Sequence, residues 1–345
     1  MNRKDFLAST GTLLAAGAIP SIAANAAATA DPGDTAPRIP PYLQKGDLIG
    51  ITAPAGFLQV ADISPAVKQL ESWGFKVKMG STVGKRSGSL AGTDDERLVD
   101  IQQLLDDRQV KAIFCARGGY GSVRIIERID WTKFRQAPKW IIGFSDITVI
   151  HSYLNRRLGI ASIHSKMGGA FPADTSNIDD VVKETADSIR RALTGLDIVY
   201  PVKPHPRNRP GKASGALVGG NLKTLESLGG SMSDLYTKDK ILFVEDVGEY
   251  AYSVDRMFWN LRQSGKLDKL AGLVIGGFRI KAEDNPDDEF GKDLYDIVWE
   301  KIGAYDYPVC FDFPVGHQKN NYALKCGIRH QLEVGTAKVS LKEIK

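Results

Sequence analysis

Short apolar runs alternate with amphipathic stretches along the first half of the chain. The apolar runs predict strands at residues 48–53, 110–116, 140–144 and 160–163, and Lys76-Val77-Lys78 is predicted as a further strand. Between them apolar residues recur with helical spacing, which predicts helices at residues 63–73, 94–106, 122–129 and 147–157. Strands and helices that alternate in this way form parallel βαβ units. The pattern therefore predicts an α/β domain with a parallel sheet over about residues 40–175.

The second half of the chain has a different pattern. Residues 176–212 contain a helical stretch at 181–193 and then four prolines among basic residues, a density typical of an inter-domain linker. Beyond it, strands are predicted at 241–244 and 273–275, helices at 254–263 and 294–302, and strand-like alternation from Ala323 onward. These features predict a smaller, mixed α/β C-terminal domain at residues 213–345.

The first thirty residues have the pattern of a cleaved secretory signal. Arg3 and Lys4 supply positive charge, an apolar stretch runs from Leu13 to Ala18, and an Ala-x-Ala arrangement follows within residues 24–28. We therefore expect residues 1–30 to be removed and the protein to be periplasmic or secreted; a disordered tail is the alternative. Residues 2–7 resemble a twin-arginine signal with lysine as its second basic residue, which leaves the export route open.

Composition and residue spacing exclude several classes of protein. The chain has 345 residues, and its 45 basic and 41 acidic side chains include no dense basic block of the kind that binds nucleic acid. Three cysteines without Cys-x-x-Cys spacing fit neither a disulfide framework nor a zinc site. Five histidines form no metal-binding pair, so no metal is expected. After the signal no apolar stretch is long enough to span a membrane.

Ser145 is a candidate nucleophile. It follows the apolar run 140–144 and precedes Asp146 and a helical pattern. A sharp turn between strand and helix exposes a serine oxygen and directs the helix N-terminus toward developing negative charge. The surrounding Gly143-Phe144-Ser145-Asp146 matches only half of the Gly-x-Ser-x-Gly motif, and a serine that caps the helix is the alternative.

The glycine-rich segment Arg117-Gly118-Gly119-Tyr120-Gly121 also lies between a predicted strand and a predicted helix. Glycines there allow backbone N–H groups to approach a ligand closely. Three interpretations compete, namely an oxyanion hole, a phosphate-binding turn and an ordinary tight turn. Because the spacing is not Gly-x-Gly-x-x-Gly and no P-loop motif occurs in the chain, nucleotide binding has little support.

A serine nucleophile requires a base and an orienting carboxylate. His317 lies in a turn after the predicted strand 309–311, where catalytic groups are often displayed, although a loop histidine is commonly an ordinary surface residue. Glu245 follows the apolar run 240–244, and a solvated strand end is the alternative to a catalytic role. His151 lies in the helix after Ser145 and is expected to point away from it. The order serine, glutamate, histidine places the expected site at the domain interface.

Several motifs occur together and in order along the chain. They are Ala53-Pro54-Ala55-Gly56, the glycine-rich segment, Gly143 to Asp146, Gly219-Gly220-Asn221-Leu222, Glu245-Asp246 with Glu249, Asp255-Arg256-Met257 and Gly316-His317. With these motifs, residues 45–340 resemble the family of serine LD-carboxypeptidases and microcin-immunity peptidases. The resemblance implies a Rossmann-like N-terminal domain, a distinct C-terminal domain and a homodimer.

The resemblance also implies which residues act. The triad falls on Ser145, Glu245 and His317, and the backbone N–H groups of Gly119 and Asp146 form the oxyanion hole. Arg117 and Arg256 are candidates for binding the terminal carboxylate of the substrate.

No metal or organic cofactor is needed for the expected reaction. That reaction is hydrolysis of the L,D bond before the terminal D-alanine of a peptidoglycan tetrapeptide, through an acyl-enzyme. A microcin-type hydrolase of peptidyl nucleotides and a non-catalytic protein that binds wall peptides are the alternatives. The export signal is a departure from the many family members that are cytoplasmic.

Overall fold

A computed structural model describes residues 37–173 and 178–344. The predicted signal, residues 1–30, lies outside the described residues. Two six-stranded sheets form the framework of the described part, and helices pack against both. This architecture confirms the predicted α/β fold class. None of the helices within these two ranges is long and apolar enough to cross a membrane.

The first sheet is formed by the alternating pattern of the N-terminal half. Its strands from this half are β1 (Leu48–Thr52), β2 (Lys76–Met79), β3 (Val110–Cys115), β4 (Trp140–Gly143) and β5 (Ser162–His164). They pair in parallel in the order β5-β4-β3-β1-β2, which confirms the predicted parallel sheet. The residues of β4 and β5 are all buried, as expected for a parallel sheet with both faces covered.

Within residues 37–173 and the segment from 178 to 194, the structure has six α-helices. They are α1 (Val60–Ser72), α2 (Asp94–Asp106), α3 (Ser122–Ile125), α4 (Thr132–Gln136), α5 (Thr148–Tyr153) and α6 (Asp180–Thr194). The predicted bounds of α2 match the observed ones, because Thr93 and Glu96 form a capping box at its start. Helix α6 falls in the predicted linker but buries Ile189 and Leu193 in the core of the first sheet. The residue bounds of the two domains stay predictions.

The helix predicted at residues 147–157 consists of three shorter pieces. A 3-10 turn over Ser145–Ile147 leads into α5, and a π-helical turn over Leu154–Leu158 ends at Gly159. The first piece starts two residues before the predicted helix, because a tight 3-10 turn follows β4 almost at once. Ser145 is consequently the first residue of the helical segment.

Residues 211–344 of the described part contain seven strands and three α-helices. The strands are β6 (Gly211–Asn221), β7 (Ile241–Tyr250), β8 (Gly272–Lys281), β9 (Val309–Cys310), β10 (Leu324–Cys326), β11 (Arg329–Val334) and β12 (Val339–Glu343). The helices are α7 (Leu222–Ser227), α8 (Ala251–Gln263) and α9 (Leu294–Ile302). All these strands except β10 form the second sheet, in the order β12-β11-β6-β7-β8-β9. Strands β6 to β9 are parallel, whereas β11 pairs antiparallel with β6 and with β12, so the sheet is mixed. The combination of strands and helices agrees with the predicted mixed α/β composition of this half.

The C-terminal tail contributes to both sheets. Strand β10 pairs antiparallel with β5 of the first sheet, where Leu324 lies opposite His164. The two strands after it return to the second sheet. Parallel sheets present binding residues at the carboxyl ends of their strands. Here the segments that follow β3, β4 and β6 carry Arg117, Ser145 and Leu222.

Candidate active site

A cleft of about 640 Å³ is lined by residues from both halves of the chain. From the first half come Arg117, Gly118, Gly119, Tyr120, Val123, Ser145, Asp146, Val149 and Met167. From the second half come Asn221, Lys223, Thr224, Ser227, Asp246, Val247, Glu249 and His317. The predicted nucleophile, base, oxyanion donors and one of the two predicted arginines therefore border a single cavity.

Ser145 is held in an unusual backbone conformation. Its φ of +61° lies in the left-handed region, which is uncommon for residues other than glycine. Such a conformation costs roughly 1–3 kcal/mol and is concentrated at functional sites. The alternative interpretation as a helix-capping serine is wrong, because the capping position is Phe144, in extended conformation, and Ser145 lies inside the 3-10 turn. The turn has the geometry of a nucleophile elbow.

The glycine-rich segment packs directly against Ser145. A β-carbon on Gly118 would lie 3.1 Å from the Cβ atom of Ser145 and 3.3 Å from the carbonyl oxygen of Phe144. Gly119 and Gly121 have φ angles of +97° and +138°, which only glycine adopts without strain. The segment is therefore a constrained turn beside the serine. Its location fits an oxyanion hole, although the assignment of the N–H groups of Gly119 and Asp146 stays a prediction.

His317 and Glu245 form a hydrogen-bonded pair. The Nδ1 atom of His317 lies 2.6 Å from Oε2 of Glu245, and the backbone N–H of His317 donates to the same oxygen at 3.2 Å. The glutamate side chain is fully buried, whereas the histidine is 17% exposed. Glu245 lies within β7, which continues to Tyr250, so the alternative of a solvated strand end is wrong. The pair leaves Nε2 of His317 as the ring nitrogen that is not bound to the carboxylate.

The ring of His317 also contacts the turn that carries Ser145. Its centroid lies 4.7 Å from that of Phe144, the residue directly before the serine. This contact, together with the shared cleft, brings the predicted base next to the predicted nucleophile.

The other four histidines have different surroundings. His151 is buried, with its ring nitrogens 2.9 Å from Ser162 Oγ and from the carbonyl oxygen of Gly143, and burial lowers its pKa to about 4. Burial likewise lowers the pKa of His330 to about 4 and that of His164 well below its usual value. His205 stacks on Tyr295. All five histidines lie in the described ranges, and His317 alone lines the cleft.

The two predicted arginine ligands have different positions. Arg117 lines the cleft, and its Nη1 donates to the carbonyl oxygen of Phe57 at 2.5 Å. Arg256 is exposed on α8, with its guanidinium over the ring of Tyr252, and it is not among the described residues that line the cleft. The role of Arg256 stays a prediction without a contact to this cavity.

The second half of the chain also places charged residues in the cleft, and no catalytic role was predicted for them from the sequence. Asp246 accepts hydrogen bonds from the backbone N–H groups of Lys223 and Val247, at 2.7 and 2.6 Å. Burial raises the pKa of Asp246 to about 6, against the effect of these N–H groups. Lys223 lies in the first turn of α7 and Glu249 near the end of β7. In the sequence, Asp246 and Glu249 belong to one of the motifs that carry the family resemblance, and Lys223 directly follows the Gly-Gly-Asn-Leu motif.

Two family models match the chain. Residues 49–165 match the LD-carboxypeptidase N-terminal domain, and residues 214–332 match the LD-carboxypeptidase C-terminal domain. Together these ranges contain every predicted triad and oxyanion residue.

Curated relatives and a solved structure resemble the chain over most of its length. A probable murein peptide carboxypeptidase of Bacillus subtilis is 34% identical, over 84% of this chain and 90% of the relative. A murein tetrapeptide carboxypeptidase of Pseudomonas aeruginosa is 32% identical, over 83% of this chain and 92% of the relative. The crystal structure of a muramoyltetrapeptide carboxypeptidase from Oxalobacter formigenes superimposes with a TM-score of 0.74 at 30% identity, covering 86% of this chain and 99% of the other.

Proposed function

The chain belongs to the LD-carboxypeptidase family of peptidases, and from that premise we propose that it is a serine carboxypeptidase that removes the terminal D-alanine from peptidoglycan tetrapeptides. One observation carries the proposal. Ser145, in its left-handed turn, and His317, hydrogen-bonded to buried Glu245, line the same cleft. The murein peptide carboxypeptidases among the relatives support the substrate class.

The proposed reaction has two half-reactions. The Oγ atom of Ser145 attacks the carbonyl carbon before D-alanine, while Nε2 of His317 takes the serine proton. The C–N bond breaks as His317 passes that proton to the D-alanine nitrogen, which leaves an ester on Ser145. Water then attacks the ester carbonyl and gives a proton to His317, which returns it to the departing serine oxygen. The products are a tripeptide and free D-alanine.

Glu245 and the turn beside Ser145 have separate tasks in this scheme. Because Oε2 of Glu245 accepts from the Nδ1 side of the ring, it fixes the tautomer that presents Nε2 as base and stabilises the imidazolium. The N–H groups of Gly119 and Asp146 are proposed to bind the oxyanion of each tetrahedral intermediate. Donors of this kind are each worth roughly 100- to 1000-fold in rate.

We also propose that the enzyme acts outside the cytoplasm and as a homodimer. Export is supported by the charge, apolar run and Ala-x-Ala order of residues 1–30. The dimer is supported by family resemblance. Sequencing the N-terminus of the native protein from a periplasmic or culture fraction tests export, and light scattering of the purified protein tests the dimer.

Incubation of the purified enzyme with tetrapeptide, followed by mass spectrometry, tests the reaction. We expect tripeptide and D-alanine from the wild type. Ser145→Ala should lower the rate by a factor of about a million and leave the melting temperature nearly unchanged. Retention of more than about a tenth of the activity in this variant would exclude Ser145 as the nucleophile.

The same assay separates the two alternatives. Cleavage of a peptidyl nucleotide, with tetrapeptide left intact, would assign the microcin-type activity. Binding of tetrapeptide without turnover, together with no labelling of Ser145 by a fluorophosphonate, would assign a non-catalytic binding protein.

A further inference from the structure

Arg97 is a fully buried arginine behind the glycine-rich segment. It belongs to α2, and its side chain is 0% exposed, although the proposed reaction gives it no role. Burial of a guanidinium costs free energy unless its N–H groups are paired. An apolar side chain at this position of α2 would avoid that cost. The contacts of Arg97 therefore need a specific explanation.

Those contacts connect the loop that contains Pro54 to the glycine-rich segment, which borders the cleft. Nη1 of Arg97 donates to the carbonyl oxygen of Pro54 at 2.6 Å and to that of Gly121 at 2.9 Å. Nη2 forms an ion pair with Asp94 at the start of the same helix. On the other side of the segment, the backbone N–H of Gly56 donates to the carbonyl oxygen of Gly118 at 2.8 Å. The segment is thus held at residue 118 by Gly56 and at residue 121 by Arg97, with Gly119 between these two points.

The residue after the nucleophile is tied to the same segment. Oδ2 of Asp146 accepts the backbone N–H of Ser122, the residue that follows Gly121, at 2.8 Å. Asp146 is 6% exposed. Burial lowers the pKa of Arg97, whereas the charges of Asp94 and Asp146 raise it, so the guanidinium and both carboxylates act on one another. The residues that flank Gly119 and the side chain of Asp146 are consequently tied together by buried hydrogen bonds, so the two proposed oxyanion donors lie on connected segments.

We propose that Arg97 is a positioning residue, which fixes the carbonyl groups of Pro54 and Gly121 so that the N–H of Gly119 is directed at the oxyanion. This inference rests on the proposed function, since it presumes that Ser145 is acylated. Oxyanion donors act by being held in place before the reaction, and small displacements reduce their effect steeply. A turn with two glycines at positive φ has little stiffness of its own, so an external brace is needed.

The rate at which a fluorophosphonate labels Ser145 tests the role of Arg97. In this reaction the serine oxygen bonds to phosphorus as the serine proton passes to His317, and the P–F bond breaks with release of fluoride. The negative charge that develops on the phosphoryl oxygen needs the same donors as the peptide reaction. We expect Arg97→Met, which keeps the volume and removes the donors, to be labelled about 10- to 100-fold more slowly. The matched control is Arg128→Met. This variant removes an exposed arginine that pairs with Asp95 of α2, the helix that also carries Arg97. Labelling of this variant should stay within about twofold of the wild-type rate.

A second variant keeps the test decisive if Arg97→Met does not fold. Arg97→Lys retains the charge but cannot bind both carbonyl groups in the same geometry, and we expect it to fold and to be labelled about 3- to 10-fold more slowly. For both variants, kcat for tetrapeptide per folded molecule should fall by a similar factor while KM stays near the wild-type value, as expected when an interaction made only in the transition state is lost. The folded fraction is measured by circular dichroism, because partial unfolding would lower the apparent kcat without changing KM.

Two results would overturn the inference. One is labelling of folded Arg97→Lys or Arg97→Met at the wild-type rate, and the other is an equal loss in Arg128→Met. Failure of the proposed function gives a different result. Wild-type protein that is labelled at Ser145 but does not cut tetrapeptide refutes the substrate and leaves the arginine comparison valid. Wild-type protein that is not labelled and does not cut tetrapeptide refutes both.

Discussion

The α-carbon of Gly316 is packed so closely against Glu245 that a β-carbon there would lie 2.7 Å from Oε2, the oxygen that accepts both hydrogen bonds from His317. Gly316 also has a φ of +102°, and its N–H donates to Oδ1 of Asn321 at 2.8 Å. Both the space and the backbone conformation therefore require glycine directly before His317, the proposed base.

Gly316→Ala should inactivate the enzyme by displacing the carboxylate from His317. Misplacement of a catalytic group by about 1 Å costs on the order of 100-fold, so we expect kcat for tetrapeptide to fall by at least that factor. Gly46→Ala is the matched control, because Gly46 has a φ of +92° and no atom within 4 Å of its added β-carbon. The control should lose about 1 kcal/mol of unfolding free energy and keep its activity. Equal activity in the two variants would contradict the prediction.

His317→Ala and His164→Phe should have opposite outcomes. Loss of His317 removes the proposed base and should cost nearly as much as loss of Ser145, because triad members act as a unit.

The His164 ring packs edge-on against Phe144 and Phe243, with centroids 5.8 and 5.0 Å away, and its buried ring nitrogens have no hydrogen-bond partner among the described residues. Phenylalanine keeps this packing and removes the cost of the unpaired nitrogens, so His164→Phe should retain activity within about tenfold and unfold at an equal or higher temperature. Steady-state kinetics on tetrapeptide would reveal a wrong base if His164→Phe were inactive and His317→Ala active.

Buried histidines should make the protein sensitive to mild acid. The pKa of His330 falls from 6.5 in the unfolded chain to about 4 in the folded one, because burial disfavours its charged form. Below the unfolded value the unfolded chain binds the proton first, so stability is lost as pH falls from 6.5 toward 4, at about 1.4 kcal/mol per pH unit for this group. His151 acts in the same direction, whereas Asp246, with its raised pKa, opposes it.

Replacement of His330 isolates this contribution. His330→Gln removes one titrating group on β11, away from the cleft, and the amide can still donate to the carbonyl oxygen of Ile328. Chemical denaturation across this pH range should therefore show a shallower loss of stability in the variant than in the wild type, with activity at neutral pH unchanged. Parallel curves for the two proteins would show that His330 is not buried in its neutral form.

The parts of this fold that the sequence predicts are those in which local pattern and burial agree. The period of apolar residues marks β3 and β4, and the capping box at Thr93 marks the start of α2. Local pattern also marks Ser145 and His317 as candidates, because each lies in a turn after a strand. The resemblance to the family, and not the local pattern, implies the complete set of Ser145, Glu245 and His317.

Other features depend on contacts between distant segments. Strand β10 has three residues, too short for a periodic signal, and only its pairing with β5 reveals that the tail joins the first sheet. Arg97 has the residue type of an exposed helical position, and its burial becomes visible only when Pro54 and Gly121 are brought beside it. The left-handed conformation of Ser145 could not be predicted from its residue type, because serine does not favour positive φ.

The stereochemistry of the substrate provides the last prediction. The proposed scissile bond joins an L-centred carbonyl to the nitrogen of D-alanine, so the terminal methyl and carboxylate project to the sides opposite to those in an L,L-peptide. A cleft shaped for that arrangement loses hydrogen bonds with terminal L-alanine, at roughly 1–3 kcal/mol for each buried partner left unpaired.

Arg117 is the cleft arginine that could bind the terminal carboxylate, so extension or amidation of that carboxylate should also reduce cleavage. We therefore expect tetrapeptide ending in D-alanine to be cut at least about tenfold faster than pentapeptide, amidated tetrapeptide or the L-alanine diastereomer. Competition of the four peptides in one reaction, read by mass spectrometry, measures the ratios directly. Comparable cleavage of all four would leave a serine hydrolase of different specificity, because a site that neither binds the carboxylate nor distinguishes the configuration is not selecting a terminal D-alanine.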